Sequence, residues 1–337
     1  MVDRVSDPSP SPGLPSEDES ARVVIAGGGS IGVGFAARFA GAGWRVRLWD
    51  PVADARIRAR EELRERLELL AEHGLIDAPA ADVWSRVEVS DVLEEACVGG
   101  VLLQECAPER LDLKRDLFQR AAAALPADAV LASASSAIPP STLASDLSDD
   151  IAARLLVAHP ANPPHLLPVI ELVPSPRTNA EVLDRARSLY AAAGMRPVVV
   201  RHEPEGFVFN RLQGAVLREA YCLVRDGVAT VEEVDEVVRS GLGRRWSLLG
   251  PFETVDLNTR GGVASHAEKM GPAYERMGAE RGQHDPWTPE LVATVADQRR
   301  SLLPLKEWEE RVRWRDAQLL ALTPHWERAR SDGRAGS

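Results

Sequence analysis

Several residue types and patterns that mark whole classes of protein are scarce or missing in this sequence. It holds only three cysteines, Cys97, Cys106 and Cys222, and their odd number and spacing fit neither a disulfide framework nor a metal or redox motif. No apolar run is long enough to span a bilayer. We therefore expect neither a metal site nor a membrane partner, and we expect the thiols to be small buried side chains in a reducing cytoplasm.

The first twenty residues also lack the apolar stretch that a secretory signal peptide requires. They are instead rich in Pro, Ser, Asp and Glu, a composition that cannot bury enough apolar surface to fold. The sequence thus predicts a disordered tail over residues 1–20 and a cytoplasmic protein.

Positively charged residues are fewer than negatively charged ones. The sequence has 40 Lys and Arg residues and 51 Asp and Glu residues, which gives a formal net charge of -11. An acidic surface disfavours nucleic acid and anionic membranes as partners, although a local group of arginines and backbone amides can still bind a small anion. The rest of the composition is ordinary for a soluble globular protein, with 45% hydrophobic and 27% charged residues. A chain of 337 residues suffices for two domains.

Short apolar segments alternate with helical patterns over the first part of the chain. Strand-like runs at 23–25 and 155–158, for example, flank amphipathic stretches such as 113–125. This alternation predicts a Rossmann-type, doubly wound and mainly parallel sheet over residues 21–203. Only helical patterns follow, which predicts an all-α domain over residues 204–330.

A glycine-rich turn follows the first predicted strand. The run A-G-G-G-S-I-G places Gly27, Gly29 and Gly32 in a G-x-G-x-x-G pattern that opens a helix. Gly27 permits the tight turn, Gly29 lets a pyrophosphate approach the backbone, and Gly32 allows the helix to pack closely on the sheet. Ser30 and Ile31 begin the helix, whose free N–H groups and positive dipole end suit phosphates. The turn predicts a dinucleotide-binding site.

An acidic residue ends the second predicted strand. Asp50 lies about 20 positions beyond the glycines, where a carboxylate accepts hydrogen bonds from the adenosine ribose. The same charge repels a ribose 2′-phosphate, which favours NAD over NADP as the cofactor. The NADP alternative stays open because Arg56 or Arg58 could fold back toward such a phosphate.

A histidine and a glutamate stand in two successive apolar segments. His159 ends a predicted strand beside a proline-rich loop, and histidine is the side chain that takes up protons near neutral pH. Glu171 lies inside the next apolar strand, where a carboxylate needs a partner to offset the cost of burial. A His–Glu pair would meet that need and orient the imidazole. The plainer alternative is a histidine with a purely structural role, and the companion glutamate weakens it.

Five segments spread over the chain carry a resemblance to a known family. They are Q-E-C-A-P-E-R-L-D-L-K (104–114), V-A-H-P-A-N-P-P (157–164), P-V-I-E-L-V-P (168–174), G-F-V-F-N-R-L-Q (206–213) and G-L-G-R-R-W-S-L-L-G-P-F-E-T (241–254). Together they resemble the 3-hydroxyacyl-CoA dehydrogenase superfamily, most closely its lambda-crystallin and L-gulonate 3-dehydrogenase branch, from about residue 22 to residue 328. Many hydroxyacyl-CoA enzymes have asparagine where this chain has Ala134, and that branch likewise has a small residue there.

The resemblance implies catalytic roles for the matching residues. His159 would be the general base for the substrate hydroxyl, and Glu171 would pair with it. Ser136 would hydrogen-bond the substrate oxygen, and Asn210 would contact the substrate near the reacting carbon. Asn162 would help to shape the same pocket.

The resemblance also implies cofactor and substrate contacts. Glu109 and Lys114 match positions that contact the nicotinamide-ribose side of NAD. The substrate is expected to be a free 3-hydroxy acid such as L-gulonate, and Arg211 or Arg245 would hold its carboxylate. Trp246 alone resembles the carnitine dehydrogenases, and an aromatic residue there is more often a packing residue than an ammonium cage.

Two other functions stay open. A hydroxyacyl-CoA is the runner-up substrate, and arginines between residues 54 and 73 would then meet the CoA phosphates, although the glutamates among them favour a salt-bridged surface. A crystallin-like structural protein that binds NAD without turnover belongs to another class, and the intact pair of His159 and Glu171 argues against it. The resemblance further implies a homodimer, with residues 207–225 and the G-P-F-E-T segment at the interface.

Overall fold

The computed structural model describes residues 22–283 and 288–314, together with residues 318, 322, 325 and 328. The tail predicted over residues 1–20 lies outside the described residues. The chain divides into two compact units, and the division falls between Val216 and Leu217.

An eight-stranded sheet forms the centre of the first unit. The strands are β1 (Arg22–Ala26), β2 (Arg45–Trp49), β3 (Val87–Ser90), β4 (Gly100–Glu105), β5 (Val130–Ser133), β6 (Leu155–Pro160), β7 (Val169–Pro174) and β8 (Arg196–Val199). Their order in the sheet is β3-β2-β1-β4-β5-β6-β7-β8, and all neighbouring strands are parallel except β6 and β7. The order reverses between β1 and β4, the place where open α/β sheets bind ligands.

Helices cover the sheet on both faces, as parallel strands require. Successive residues of β1 alternate between two core clusters, with Val23 and Ile25 in one and Val24 in the other, and none of the three has exposed surface. The predicted Rossmann-type sheet, followed by a helical part, is confirmed. The helices of this unit are α1 (Ser30–Gly41), α2 (Ala53–Glu72), α3 (Ala80–Trp84), α4 (Leu93–Cys97), α5 (Leu111–Ala124), α6 (Pro140–Ala144), α7 (Asp149–Ala153) and α8 (Ala180–Ala192).

Strands β6 and β7 run antiparallel because the connection between them is short. Only residues 161–168 separate the two strands, whereas a crossover between parallel strands needs about a dozen residues or more. In the resulting register His159 stands directly opposite Glu171. The loop length therefore places these two side chains together.

The described part of the second unit is helical. Helix α9 (Phe209–Arg225) begins in the first unit and continues into the second. Thr230 and Glu233 form a capping box at the start of α10 (Val231–Val237). The other elements are α10 (Val231–Val237), a π-helical turn (Val238–Leu242), α11 (Gly243–Trp246), α12 (Pro251–Asn258), α13 (Gly262–Glu280), α14 (Pro289–Leu302) and a 3-10 turn (Leu305–Glu307).

The division into compact units falls between Val216 and Leu217, and the domain bounds 21–203 and 204–330 stay predictions. The first residues of α9 stay with the sheet, because the backbone N–H groups of Val208 and Phe209 donate hydrogen bonds to Glu171 of β7. The end of the strand alternation thus marks the end of the sheet, and the compact unit continues beyond it.

The second unit buries few large apolar side chains among its described residues. Leu249, Leu257 and Leu303 form its buried cluster, while Tyr221 and Phe252 are 76% and 56% exposed. No helix in the described ranges is both long and apolar enough to cross a bilayer.

Candidate active site

The carboxyl ends of four strands converge on one cavity beside the reversal of the strand order. The glycine turn follows β1, Glu109 follows β4, Ser136 follows β5, and His159 lies near the end of β6. The cavity has a volume of about 630 Å³. Its lining residues are Ile31, Cys106, Ala107, Glu109, Lys114, Ala134, Ser136, Ala137, His159, Pro160, Asn162, Phe209, Asn210 and Gln213.

The glycine turn has the geometry that the sequence pattern requires. A Cβ on Gly32 would lie 1.9 Å from the carbonyl oxygen of Gly27, so the helix can approach the turn only without a side chain there. Gly27 itself has φ +123°. Gly29 caps α1 and has open space where a side chain would stand. This open helix start, which has no capping hydrogen bond from a side chain, fits the pyrophosphate of NAD.

Asp50 lies at the end of β2, beside the turn. One carboxylate oxygen accepts a hydrogen bond from the N–H of Gly28 at 2.8 Å, and the other accepts one from the N–H of Val52 at 2.9 Å. Arg56 donates to the backbone carbonyl of Asp50 at 2.8 Å and pairs with Asp91 at 3.6 Å. Because Arg56 is held in this way, it is not free to neutralise a ribose 2′-phosphate, and the site favours NAD.

His159 and Glu171 form a buried pair. The imidazole Nδ1 lies 2.8 Å from the Oε2 atom of Glu171, and the two side chains are only 6% and 3% exposed. The opposite position of the two residues in the β6–β7 register brings them together. The bond leaves the other ring nitrogen, Nε2, directed away from Glu171, where it can exchange a proton.

The second carboxylate oxygen of Glu171 is bound by the backbone. Its Oε1 atom accepts hydrogen bonds from the N–H groups of Val208 at 2.7 Å and Phe209 at 2.9 Å. Burial opposes ionisation of the carboxyl, but the hydrogen bonds from His159 and from these two amides outweigh it and hold the pKa of Glu171 below its ordinary value. Glu171 is therefore a carboxylate fixed at both oxygens.

Ser136 completes a chain of three side chains. Its Oγ atom lies 2.9 Å from Nε2 of His159. Serine, histidine and carboxylate in this order also occur in nucleophilic catalysis of acyl transfer. Here the serine follows a strand beside a dinucleotide turn, so the same set suits proton exchange with a substrate hydroxyl group that binds against Nε2 and Oγ.

A second network supports the loop that carries Ser136. Glu109 accepts hydrogen bonds from the Ser135 hydroxyl and, at 3.2 Å, from the N–H of Ala137. Burial opposes ionisation of Glu109, yet these bonds and the charge of Lys114 lower its pKa overall. Glu109 thus binds the loop through the residues on both sides of Ser136, and it also lines the cavity.

Lys114 lines the same cavity, but its ammonium group is already engaged. Its Nζ atom lies 2.8 and 2.9 Å from the two oxygens of Glu105 and 3.3 Å from an oxygen of Glu109. Glu105 has no exposed surface, and burial raises its pKa while the charge of Lys114 works against that rise. Direct contact between Lys114 and the cofactor stays a prediction. In this arrangement Lys114 holds Glu109.

The sequence interpretation also gave no role to several residues that line the cavity, among them one amide, one aromatic ring and one thiol. Gln213 lies one helical turn after Asn210 on α9, a spacing that could have indicated it. Phe209 also lines the cavity, as does Cys106, and burial raises the pKa of the Cys106 thiol well above its ordinary value. A protonated thiol is a poor nucleophile or metal ligand. Among the described residues, no group of three His, Cys, Asp or Glu side chains is arranged to hold a metal ion.

The two arginines expected to hold a substrate carboxylate are not among the described residues that line the cavity. Arg211 follows Asn210 on α9 but is exposed, and it is not among the described residues that line the cavity. Arg245 belongs to α11 of the second unit. Both assignments stay predictions.

Comparison with known families covers most of the chain. The family model described as 3-hydroxyacyl-CoA dehydrogenase, NAD binding domain, matches residues 22–203. The model described as 3-hydroxyacyl-CoA dehydrogenase, C-terminal domain, matches residues 206–301.

Individual proteins are similar over most of their length. An L-carnitine dehydrogenase of Streptomyces griseus is 39% identical over 85% of this chain and 83% of its own. Lambda-crystallin of Oryctolagus cuniculus is 37% identical over 76% of this chain and 80% of its own. Among solved structures, an NAD+-dependent dismutase, 5-formyl-3-hydroxy-2-methylpyridine-4-carboxylic acid 5-dehydrogenase, is 29% identical with a TM-score of 0.67, over 85% of this chain and 97% of that one.

Proposed function

This chain belongs to the 3-hydroxyacyl-CoA dehydrogenase family, and from that premise we propose that it oxidises the 3-hydroxyl group of a small free hydroxy acid to a ketone. The observation that carries the proposal is the chain of hydrogen bonds from Glu171 through His159 to Ser136, beside a dinucleotide turn. The turn with Gly27, Gly29 and Gly32, together with Asp50, would hold NAD, which would supply the hydride acceptor for the carbinol carbon. The residues of the chain then have to bind the substrate, orient it and remove one proton.

His159 is the group that takes this proton. The substrate hydroxyl binds against Nε2, and the proton moves from the hydroxyl oxygen to that nitrogen as the carbonyl forms. Glu171 holds Nδ1 in its protonated form and stabilises the positive charge that develops on the ring. In the reverse direction His159 returns the proton.

Ser136 and Asn210 orient the substrate oxygen. Both line the cavity, and the Oγ atom of Ser136 is already within 2.9 Å of the imidazole. A hydroxyl and an amide aimed at the same oxygen polarise the carbonyl that develops there. Asn162 and Gln213 add further polar groups to the wall, which suits a substrate with several hydroxyl groups.

The charges of helix α2 support a free acid over a CoA ester. The helix carries five arginines and six carboxylate residues, and a CoA ester needs free cations for its phosphates. Four of the five arginines already contact other groups. These contacts join Arg56 to Asp50 and Asp91, Arg60 to Val89, Arg64 to the Trp84 ring, and Arg66 to Ser30 and Glu62.

The finer choice of acid rests on the polar lining. An L-gulonate-like polyhydroxy acid matches the amide and hydroxyl groups of the cavity, and the carboxylate would be held by Arg211 or Arg245. L-carnitine is the second candidate, because relatives 38% and 39% identical are L-carnitine dehydrogenases. Trp246, which is 40% exposed, is the aromatic residue we would test first for its ammonium group.

Initial rates of NADH formation test the proposal directly. The purified full-length chain is offered L-gulonate, L-carnitine, 3-hydroxybutyrate and L-3-hydroxybutyryl-CoA in parallel, first with NAD and then with NADP. Turnover of a free acid with NAD supports the proposal. Turnover of the CoA ester alone would reassign the substrate, and NAD binding without any turnover would favour the crystallin-like structural role.

We also propose that the chain forms a homodimer through its helical half. Three apolar residues form an exposed stripe along α9, at the spacing of one helix face. The stripe consists of Leu217, Tyr221 and Val224, which are 46%, 76% and 37% exposed. Exposed apolar surface of this kind is typical of protein–protein contacts.

A further inference from the structure

A left-handed turn stands between the last strand of the sheet and helix α9. Gly206 has φ +76° and Phe207 has φ +49°. Among the described residues, Phe207 is the one non-glycine residue with a positive φ. A bulky side chain in this region is strained and persists only where its surroundings hold it in place.

The surroundings of Phe207 include the candidate general base. The phenyl ring is only 2% exposed and belongs to the core cluster that also contains Val173 and Val200. Its centre lies 5.6 Å from the centre of the His159 imidazole ring, at an interplanar angle of 57°. The ring therefore forms one wall of the space in which the imidazole is held.

The backbone of the same turn binds the carboxylate that orients the imidazole. Left-handed residues make successive N–H groups converge on one side of the chain, which creates a concave anion site. Here the converging groups are the N–H of Val208 and of Phe209, and the anion is Oε1 of Glu171 at 2.7 and 2.9 Å. The positive end of the α9 dipole lies at the same place.

We propose that Phe207 is a positioning residue for the pair of His159 and Glu171. Its ring fixes the plane of the imidazole, and its left-handed backbone directs two amides at Glu171, so one residue holds both members of the pair. The same turn starts the helix that carries Asn210 into the cavity. This inference rests on the proposed catalytic role of the pair.

A comparison of two truncations tests the backbone conformation. In most buried sites alanine is better tolerated than glycine, but at a positive φ the order reverses because only glycine adopts this region without strain. We expect the full-length Phe207→Gly variant to unfold at a temperature equal to or above that of Phe207→Ala. A clearly higher unfolding temperature for Phe207→Ala would contradict the left-handed turn.

A double-mutant cycle tests the positioning role. Phe207→Leu keeps an apolar side chain but loses the flat ring, and we expect kcat to fall about tenfold with KM for NAD changed by less than about twofold. If Phe207 acts through the pair, the same substitution in a Glu171→Gln background costs less than about threefold, because the geometry it protects is already lost. Equal losses in both backgrounds would overturn the proposal.

Two further variants separate the possible explanations. Phe39→Leu removes a fully buried ring from the core cluster on the other face of the sheet, and we expect it to lower stability without lowering kcat. Gly206→Ala perturbs only the backbone, since its Cβ would meet no atom closer than 3.4 Å, and it should repeat the loss of kcat and the coupling to Glu171.

If His159→Ala keeps its turnover, the proposed function fails. If His159→Ala is inactive but Phe207 and Glu171 are additive, only the positioning role fails.

Discussion

The sheet of the first unit buries charged and polar side chains, whereas the helices of the second unit expose apolar ones. In the sheet, Glu105 and His159 lie near the ends of β4 and β6, and Glu171 lies inside β7. All three are almost fully buried, and each has hydrogen-bond partners. In the second unit, Tyr221 and Val237 are 76% and 65% exposed. Buried charge is costly unless it is paired, and exposed apolar surface is unfavourable unless it is covered.

The difference indicates a division of labour. The first unit supplies polar groups that hydrogen bonds hold in fixed positions, which is what proton and hydride transfer require. The second unit exposes apolar side chains, and contact with another protein that buried them would lower the free energy. Substitutions at the strand ends are therefore expected to change rates, whereas substitutions on the α9 stripe are expected to change association.

The largest effect is expected from loss of the imidazole. We expect His159→Ala to lower kcat by about 10³-fold or more, because general base catalysis contributes on that order, while the Kd for NAD stays within about twofold of the wild type. Steady-state rates and a direct NAD-binding titration measure the two quantities. His202→Ala, at an exposed histidine, is the control. A His159→Ala variant with near wild-type turnover would show that the base is another group.

Glu171→Gln is expected to have the next largest effect, with a loss in kcat of about 10²-fold, because a neutral amide holds the imidazole less firmly and does not stabilise its charge. A stability effect should accompany it. The pKa of Glu171 is below its ordinary value of 4.5 in the folded chain, so its ionised form stabilises the fold above that pH, and the contribution disappears as the pH falls through the folded pKa.

Chemical denaturation of both proteins checks this second effect. We expect the wild type to be more stable than Glu171→Gln at about pH 7 and the difference to shrink toward about pH 4. A difference that is constant over this range would mean that the ionisation of Glu171 is not coupled to folding.

A moderate effect is expected at the cofactor end of the sheet. Asp50→Asn removes a charge but keeps the size and one acceptor oxygen, so we expect the ratio of kcat/KM for NAD to that for NADP to fall by about tenfold. Asp54→Asn, an exposed carboxylate at the start of α2, is the matched control and should leave the ratio unchanged. An unchanged ratio in Asp50→Asn would remove Asp50 from cofactor discrimination.

The smallest effect on chemistry is expected in the second unit. Tyr221→Glu places a charge in the middle of the exposed stripe, and we expect it to convert a dimer into a monomer at micromolar concentration, as measured by light scattering. Ala215→Glu introduces the same side chain at an exposed position on another face of α9 and should leave the mass unchanged. A wild type that is already monomeric would contradict the homodimer.

The glycine turn, Asp50 and the partnership of His159 with Glu171 were accessible from the sequence for a physical reason. Each depends on a residue type whose chemistry is unusual in its setting, such as a carboxylate inside an apolar strand. The fold class followed from the alternation of strands and helices, and the structure confirms it. The predicted catalytic roles await the kinetic tests.

Other contacts have no signature in the sequence. The amides of Val208 and Phe209 that bind Glu171 are backbone groups, and every residue except proline has one. The pairing of Lys114 with Glu105 joins a helix to a strand end, and a lysine that contacts a cofactor and one that contacts a buried glutamate look alike in a sequence. The left-handed backbone of Phe207 is hidden because phenylalanine gives no indication of a positive φ.

The short connection between β6 and β7 also has a consequence for how the molecule assembles. The contact of His159 with Glu171 joins residues 12 positions apart, whereas Gly28 and Asp50 are 22 apart and Glu171 and Val208 are 37 apart. The entropy lost on closing a loop rises with its length. We therefore expect the hairpin that orients the imidazole to be among the first long-range contacts of the folding chain, with the cofactor turn and the start of α9 closing onto it later.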